Sequence, residues 1–439
     1  MNARALAIQV LARVEASDAY LNVILDHKLS ETPPSDRRDA GFITELCYGA
    51  MRRRLTLDSV IALYADRKLA SIEDRVLAAL RVGTYQIFYS RVPRRAAVAE
   101  TVEALKVIKL ERAVGFVNAL LRKISALEVI PLPPEATLAE HLAVRESHPT
   151  WLVARWLRQF GRERTESMLV ANNLAPDVVV RTNSAQRTRE ALLEELLGVG
   201  LTVAKTGLSD VGLKLASPGK VEALYGYDEG LWQVQDEGAQ LVGLYGAIPP
   251  TARVLDACAA PGGKACHLAE THDLVASDLH PNKLPKILAE AKRLRLEGKM
   301  KLISHDATTP FPEELGTFDA VTVDAPCTGL GTLRRHPELR YRRAEGDVAR
   351  LAVLQLKILE TCQALVNPGG LLVYAVCSTE PQEGQDLVEM FLRSHPEFTA
   401  EPPPRFSESA WPKYQSYLRT LPGPEGMDGF FAARLRKMY

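Results

Sequence analysis

The 439-residue chain has the composition of an ordinary folded protein, with 46% hydrophobic and 25% charged residues. Its length favours several domains over one. Lysine and arginine together number 54, as do aspartate and glutamate, so net charge alone indicates no class of partner. No run approaches the roughly 18 apolar residues of a membrane-spanning helix, and the N-terminus lacks the unbroken apolar core of a signal peptide. We therefore expect a soluble, cytoplasmic protein that does not contact a membrane.

The first 127 residues predict an all-helical domain, because apolar residues recur at helical spacing, as at Ile72, Val76 and Leu80. This is also the basic part of the chain, since its first 125 residues contain 20 lysines and arginines against 14 aspartates and glutamates. Arginines cluster at 52–54 and 91–95, and either cluster is a contact for RNA phosphates or ordinary solvated surface. The stretch 128–149 holds four prolines with little periodicity and predicts a linker.

The remainder predicts two further domains. Residues 150–235 predict a small α+β unit, with helical patterns at 151–160 and 190–197 on either side of a strand-like run at 178–182. From 236 to 439 strands alternate with helices, including a crossover helix at 347–366, and this order predicts a Rossmann-like domain with a mainly parallel sheet. The predicted strands of this domain are 254–256, 274–278, 301–304, 318–324, 370–376 and 429–434.

The loop Asp256–Lys264 follows the first of these strands and contains a Pro-Gly-Gly turn, which lets the backbone approach a ligand closely. A phosphate-binding P-loop is excluded because Cys258 and Ala265 stand where Gly and Ser or Thr are needed, and the dinucleotide fingerprint G-x-G-x-x-G is absent. S-adenosylmethionine remains, since it offers a ribose diol and an amino-acid moiety with charges of both signs. Asp278 then accepts hydrogen bonds from the ribose, and Asp306 lies near the adenine.

An aspartate lies at or just after the end of each of four successive predicted strands, at Asp256, Asp278, Asp306 and Asp324. One such residue alone is weak evidence, because Asp commonly caps helices and strand ends through local hydrogen bonds. Four in succession are harder to attribute to capping, because the carboxyl ends of parallel strands share one edge of the sheet, where open α/β sheets bind ligands.

Two of the six cysteines indicate chemistry. The chain has no C-x-x-C spacing, so we predict neither a disulfide framework nor a metal site. Cys47 and Cys362 lie inside helical patterns and are expected to pack. Cys327 and Cys377 instead follow predicted strands beside Pro, Gly or Ser. A thiolate that adds to C6 of cytosine activates C5 towards a methyl donor, and a second group must then take the C5 proton.

The strings Asp256–Lys264, Asp324-Ala-Pro-Cys327 and Cys377-Ser378 resemble the RNA cytosine-5 methyltransferases of the NOL1/NOP2/Sun class. Three strings in the helical part, residues 46–54, 78–89 and 116–122, resemble the antitermination factor NusB. A NusB-like domain fused to this catalytic core implies small-subunit ribosomal RNA as the substrate and RNA-binding roles for the first two domains. We expect the enzyme to act as a monomer.

The resemblance also implies roles for single residues. Cys377 is the nucleophile that attacks C6, Cys327 assists release of the methylated product, and Asp324 hydrogen-bonds the N3 side of the ring. The residues expected to bind S-adenosylmethionine are Cys258, Ala259, Ala260, Pro261, Gly262, Gly263, Lys264, Asp278, Asp306 and Asp324. The basic run Arg334-Arg335-His336, which follows the Cys327 loop, is placed to contact RNA phosphates.

Some alternatives stay open. Family members often carry Thr before the nucleophilic cysteine, whereas this chain has Val376, which puts a hydrogen bond from that position to the thiol in doubt. The same motifs also fit methylation of transfer RNA or large-subunit RNA, or an RNA-binding protein without catalysis. The target cytosine is not specified by these residues.

Overall fold

The computed structural model describes residues 2–33, 36–216, 219–402, 416–424 and 426–439. By internal contacts the chain forms two units, Met1–Ala175 with Leu333–Arg343, and Pro176–Thr332 with Ala344–Tyr439. Among the described helices, none has the length and apolar character needed to cross a lipid bilayer.

The α-helices within the described residues are α1 Ala3–Glu15, α2 Leu21–Glu31, α3 Arg37–Arg52, α4 Arg54–Ala62, α5 Asp74–Tyr89, α6 Arg94–Val107, α7 Val114–Ser125, α8 Leu138–Glu146, α9 Thr150–Ala171, α10 Arg189–Gly198, α11 Glu237–Gly246, α12 Gly263–Ala269, α13 Leu284–Arg293, α14 Leu339–Arg342, α15 Glu345–Cys362 and α16 Gln385–Ser394. The strands are β1 Val178–Thr182, β2 Val203–Lys205, β3 Gly212–Leu215, β4 Trp232–Val234, β5 Val254–Asp256, β6 Leu274–Asp278, β7 Met300–Ser304, β8 Phe318–Asp324, β9 Val366–Val376, β10 Phe398–Ala400, β11 Leu418–Arg419 and β12 Phe431–Lys437.

The first unit is helical, as predicted. Its core is built from the apolar faces of α1 to α7, with Ile8, Leu46 and Leu121 fully buried. The predicted linker differs from the structure, because 138–146 forms helix α8 and buries Leu142. Contacts also group α9 with this unit, which continues to Ala175.

A short segment from the C-terminal half of the sequence, Leu333–Arg343, belongs to the first unit. Arg340 is fully buried and donates to the carbonyl oxygens of Arg52 at 2.9 Å and Ser147 at 3.2 Å. Arg342 donates to the carbonyl oxygens of three residues that end or follow α1, Val14, Ser17 and Ala19, each at 2.9 Å. The bond to Val14 satisfies one of the carbonyl groups that the end of α1 leaves without a partner in the helix.

The second unit holds two sheets. The smaller sheet is antiparallel with strand order β2-β3-β1-β4, and β1 coincides with the predicted strand 178–182. Among the described strands, the larger sheet has the order β10-β12-β9-β8-β5-β6-β7. The pairings from β9 to β7 are parallel, whereas β12 runs antiparallel to β9. The mainly parallel Rossmann-like sheet is therefore confirmed. Strands β5, β6 and β8 end at Asp256, Asp278 and Asp324, and β7 ends at Ser304, two residues before Asp306.

Candidate active site

The loop after β5 is held against the neighbouring strands by its backbone. The amide of Ala257 donates to the carbonyl of Thr322 at 2.9 Å, and that of Ala259 donates to the carbonyl of Ser277 at 2.8 Å. Gly262 has a φ of +110°, in the region that favours glycine. An added Cβ there would also lie 3.3 Å from the Cα of Ile287 on α13. The loop is therefore compact, and its position at the sheet edge is defined by main-chain bonds.

Asp278 joins this loop to the end of β6. Its Oδ2 accepts from the amide of Ala260 at 3.1 Å, and its Oδ1 accepts from the amide of His280 at 2.9 Å. Asp306, after β7, accepts from the amide of Thr308 at 2.9 Å and from its hydroxyl at 2.8 Å. These two bonds hold the pKa of Asp306 below its usual range. Both carboxylates lie on the edge where the cofactor was predicted.

Lys264 and Asp324 form an ion pair beneath this loop. The Nζ of Lys264 lies 2.6 Å from Oδ2 of Asp324, and the two side chains are 18% and 28% exposed. Lys264 also lies 5.0 Å from the ring centre of Phe430. Burial opposes the charged lysine, but Asp324 and, more weakly, Cys377 and Asp256 raise its pKa. The loop lysine therefore has a specific acidic partner, which a lysine in the first turn of α12 requires to offset the helix dipole.

Asp256 ends β5 and is 1% exposed. Burial, with a smaller contribution from Asp324, raises its pKa to about 7. A carboxyl group that is protonated near neutral pH is unusual, and the cause here is desolvation of a charge beside a second carboxylate.

The two predicted catalytic cysteines lie together. The Sγ atoms of Cys327 and Cys377 are 3.2 Å apart, within hydrogen-bond distance for sulfur, and neither forms a disulfide. The pKa of Cys327 is raised well above its usual value, first by the hydrogen bond to Cys377, then by burial and by the charges of Cys377 and Glu383. When one of the two cysteines is a thiolate, the thiol of the other can therefore donate a hydrogen bond to it.

The remaining cysteines are packed or lie at the loop. Cys47, Cys266 and Cys362 are 0% exposed, which confirms the predicted packing of Cys47 and Cys362. Burial raises the pKa of Cys266 and of Cys362 to about 12, so neither is a reactive thiolate. Cys258 is partly exposed, and its amide donates to Oδ1 of Asp256 at 3.4 Å.

The arginines predicted to contact RNA differ in exposure. Arg52 is 8% exposed, and its Nη2 donates to the carbonyl of Arg334, itself 3% exposed. Neither guanidinium is presented on the surface, so the expectation of phosphate contacts is wrong for these two residues. Arg91 and Arg95, in contrast, are exposed. Arg94 lies between them in the sequence and donates to the carbonyl of Leu127 at 2.6 Å.

Two groups near the site were not predicted. Glu383 is fully buried and accepts hydrogen bonds from residues adjoining both cysteines. Arg181 on β1 is also fully buried, pairs with Glu270 at 2.6 Å and donates to the carbonyl of Gly263 at 3.1 Å. The only sequence signal for Glu383 is its place before the amphipathic helix α16, which is common for surface glutamates as well.

Parts of the chain match described protein families. Residues 247–436 match the 16S rRNA methyltransferase RsmB/F family, and residues 1–126 match the NusB family. Residues 148–222 match the ferredoxin-like domain of RsmF/B-like methyltransferases. The chain is 33% identical to the probable ribosomal RNA small subunit methyltransferase B of Bacillus subtilis (strain 168), over 99% of this chain and 98% of that relative. It is 35% identical to ribosomal RNA small subunit methyltransferase B of Pseudomonas putida, over 100% and 99%.

Solved structures share the fold. The crystal structure of PH0851 superposes with a TM-score of 0.85 at 24% identity, covering 100% of this chain and 99% of that chain. NSun6 from Pyrococcus horikoshii, solved with SFG, superposes with a TM-score of 0.60 at 20% identity, covering 67% of this chain and 99% of that one.

Proposed function

Because this chain belongs to the family of ribosomal RNA small subunit methyltransferase B, we propose that it methylates C5 of a cytosine in 16S rRNA, with S-adenosylmethionine as the methyl donor. The observation that carries this proposal is the 3.2 Å contact between the Cys327 and Cys377 thiols. Both cysteines follow neighbouring parallel strands, β8 and β9, at the carboxyl edge where such sheets bind ligands.

The residues at this edge fit S-adenosylmethionine. Asp278 and Asp306 supply carboxylates at the ends of adjacent strands, as a ribose diol and an adenine-side donor require. The loop between Asp256 and Lys264 carries small side chains, and a Cβ on Gly263 would have no neighbour closer than 3.9 Å, so its backbone leaves room for a ligand. When bound, the cofactor supplies an electrophilic methyl group. The assigned loop residues are Cys258, Ala259, Ala260, Pro261, Gly262, Gly263 and Lys264.

The reaction begins with the protein's own thiol. The Cys377 thiolate adds to C6 of the cytosine and forms a carbon–sulfur bond, which places electron density on C5. Asp324, held by Lys264 at 2.6 Å, hydrogen-bonds the N3 side of the ring and favours this addition. C5 then takes the methyl group. The C5 proton then passes to solvent water, the C5–C6 double bond of the ring is restored, and the carbon–sulfur bond breaks with its electron pair returning to Cys377. Cys327, 3.2 Å from Cys377, assists this elimination by donating its hydrogen bond to the departing thiolate.

The target base must leave its stack to reach these thiols, at a cost of a few kcal/mol. Base-specific RNA readers mostly act on loops and single strands, where that cost is smallest. We infer that the NusB-like and ferredoxin-like domains bind flanking RNA and so offset this cost. The matched ranges of these two domains, 1–126 and 148–222, overlap the two segments, 1–127 and 150–235, to which the sequence analysis assigns RNA binding.

Bisulfite sequencing tests the proposal. Total RNA from cells that lack the protein is compared with RNA from cells complemented by the wild type or by Cys377→Ala. We expect one cytosine of 16S rRNA to become sensitive to bisulfite conversion in cells that lack the protein. Complementation with the wild type should restore its protection, and complementation with Cys377→Ala should not. A site restored in transfer RNA or 23S rRNA would contradict the assigned substrate. Unchanged protection everywhere would contradict C5 methylation.

A further inference from the structure

A single buried carboxylate connects the loops that carry the two cysteines. Glu383 is 0% exposed and ends the turn Pro381–Glu383 that precedes α16. Its Oε1 accepts from the amide of Thr328 at 2.9 Å, and its Oε2 accepts from the Thr328 hydroxyl. Oε2 also accepts from the hydroxyl of Ser378 at 2.5 Å. Thr328 directly follows Cys327 and Ser378 directly follows Cys377, so the carboxylate links both loops.

Gln355 on α15 extends this link. Its Nε2 donates to Oε1 of Glu383 at 2.9 Å and to the carbonyl of Pro326, beside Cys327, at 2.9 Å. Its Oε1 accepts from the hydroxyl of Tyr374 at 3.1 Å, and the same hydroxyl bonds the carbonyl of Glu383 at 2.6 Å. Buried, fully connected polar networks of this kind restrict the groups they join to one arrangement.

The charge of Glu383 is not neutralised by a cation. Among the described residues, its hydrogen-bond donors are an amide, two hydroxyls and a carboxamide, and no lysine or arginine pairs with it. A buried negative charge disfavours a second anion nearby. Cys327 feels this charge, whereas Cys377 interacts electrostatically with the ammonium of Lys264, which is itself paired with Asp324. The charge of Glu383 therefore disfavours the thiolate form of Cys327, and the cation that interacts with Cys377 is the paired ammonium of Lys264.

We propose that Glu383 is a positioning residue that fixes the two cysteine loops against each other and keeps the proton on Cys327, so that Cys377 is the thiolate. This inference rests on the proposed function for the assignment of Cys377 as the nucleophile. No bond is made or broken by Glu383, and it acts only through Thr328, Ser378 and the charge it presents to Cys327.

The test measures which cysteine is the thiolate without using RNA. Wild type, Glu383→Gln and the control Glu389→Gln are alkylated with iodoacetamide between pH 6 and 9, and the rate at each cysteine is read by peptide mass spectrometry. Glu389 accepts from Gln385 on α16, outside this network. Because only thiolates react, we expect Cys377 to react at least tenfold faster than Cys327 in the wild type and in Glu389→Gln. In Glu383→Gln the ratio should fall several-fold.

Several results would overturn the proposal. One is an unchanged alkylation ratio in Glu383→Gln with wild-type circular dichroism, and another is faster alkylation of Cys327 than of Cys377 in the wild type itself. If Glu383→Gln does not fold, Glu383→Asp keeps the charge with a shorter reach and must preserve the preference for Cys377, although methyl transfer slows. Methyl transfer to RNA is measured in a separate assay of the same proteins. If the alkylation ratio shifts in Glu383→Gln but neither the wild type nor any variant transfers a methyl group, the result counts against the proposed function alone.

Discussion

The thiols of Cys327 and Cys377 lie 3.2 Å apart although 50 positions separate them in the chain. The contact arises because β8 and β9 are parallel neighbours, with Asp324 paired with Ala375 in register. Each cysteine comes shortly after the end of its strand, so sheet pairing alone brings the two loops to one edge. Two cysteines at this distance can hold opposite roles in one reaction, because one thiol donates while the other is a thiolate.

The two cysteines should give variants that differ in kind. We expect Cys377→Ala to abolish both methylation and any covalent RNA adduct. Cys327→Ala should still add to C6 and transfer the methyl group, but it should stall with RNA bound through Cys377 because elimination is slowed. Denaturing gels with labelled RNA and cofactor measure this, with Cys362→Ala as the buried-cysteine control. An adduct that accumulates in Cys377→Ala would exchange the two roles.

Asp278 is predicted to contribute to cofactor binding. Asp278→Ala should weaken S-adenosylmethionine binding by roughly 1.5–3 kcal/mol, the value of a hydrogen bond to a charged group. Since Asp278 also accepts from the amide of Ala260, Asp278→Asn separates the two effects by keeping one acceptor for that amide. Isothermal calorimetry measures both variants. An unchanged dissociation constant in folded Asp278→Ala would exclude the residue from the site.

Arg91 and Arg95 are the exposed members of the second basic cluster. If both contact phosphates, Arg91→Gln with Arg95→Gln should flatten the dependence of log affinity on log salt by up to about 1.4, at about 0.7 for each lost contact to single-stranded RNA. Arg67→Gln is the control, because Arg67 is exposed but paired with Asp66 at 3.2 Å. A salt slope equal to that of the wild type would show that this cluster is solvated surface.

Asp256 predicts a pH dependence of stability. Its pKa is about 7 in the folded protein against an ordinary 3.8, first because of burial and then because of Asp324. Between these values the unfolded chain has lost the proton while the folded protein keeps it, so stability should fall as pH rises from about 4 to about 7. Asp256→Asn should flatten this part of the profile, as read from urea midpoints. Asp228 is exposed, so Asp228→Asn should keep the wild-type dependence of stability on pH. The same dependence in Asp256→Asn would show that Asp256 is not its source.

Arg181 and Glu270 form a buried pair at 2.6 Å. Arg181→Met should lower the free energy of unfolding by roughly 3–5 kcal/mol, because it leaves Glu270 as an uncompensated buried charge. Adding Glu270→Met should recover most of that loss, since a pair replaced by apolar groups is often close to neutral. Urea unfolding measures both variants. Equal destabilisation by the single and double substitutions would show that the pair contributes through packing rather than charge.

The local pattern of the chain was sufficient for most elements and for the positions of the strand-end aspartates and the two cysteines. Alternating or continuous apolar runs located β1, β5, β6 and β8 at their observed bounds, because burial of one face imposes a period on the side chains. The strand-end aspartates and the two cysteines followed from the same patterns, because parallel strands bring their carboxyl ends to one edge. The linker prediction differs from the structure at α8, where prolines flank a helix whose stability comes from tertiary packing rather than propensity.

Only the tertiary structure decided which polar groups meet. The sequence by itself determined the domain order, the sheet and the thiols at its edge, since each depends on residues close in the chain. It did not determine that Lys264 pairs with Asp324, that Arg340 is buried in the first unit, or that Glu383 joins the two cysteine loops. Each of these arrangements depends on contacts between residues that are at least five positions apart in the chain, and most of these contacts join residues more than 50 positions apart. No local period encodes such contacts, because hydrogen-bond partners are selected by packing of whole elements.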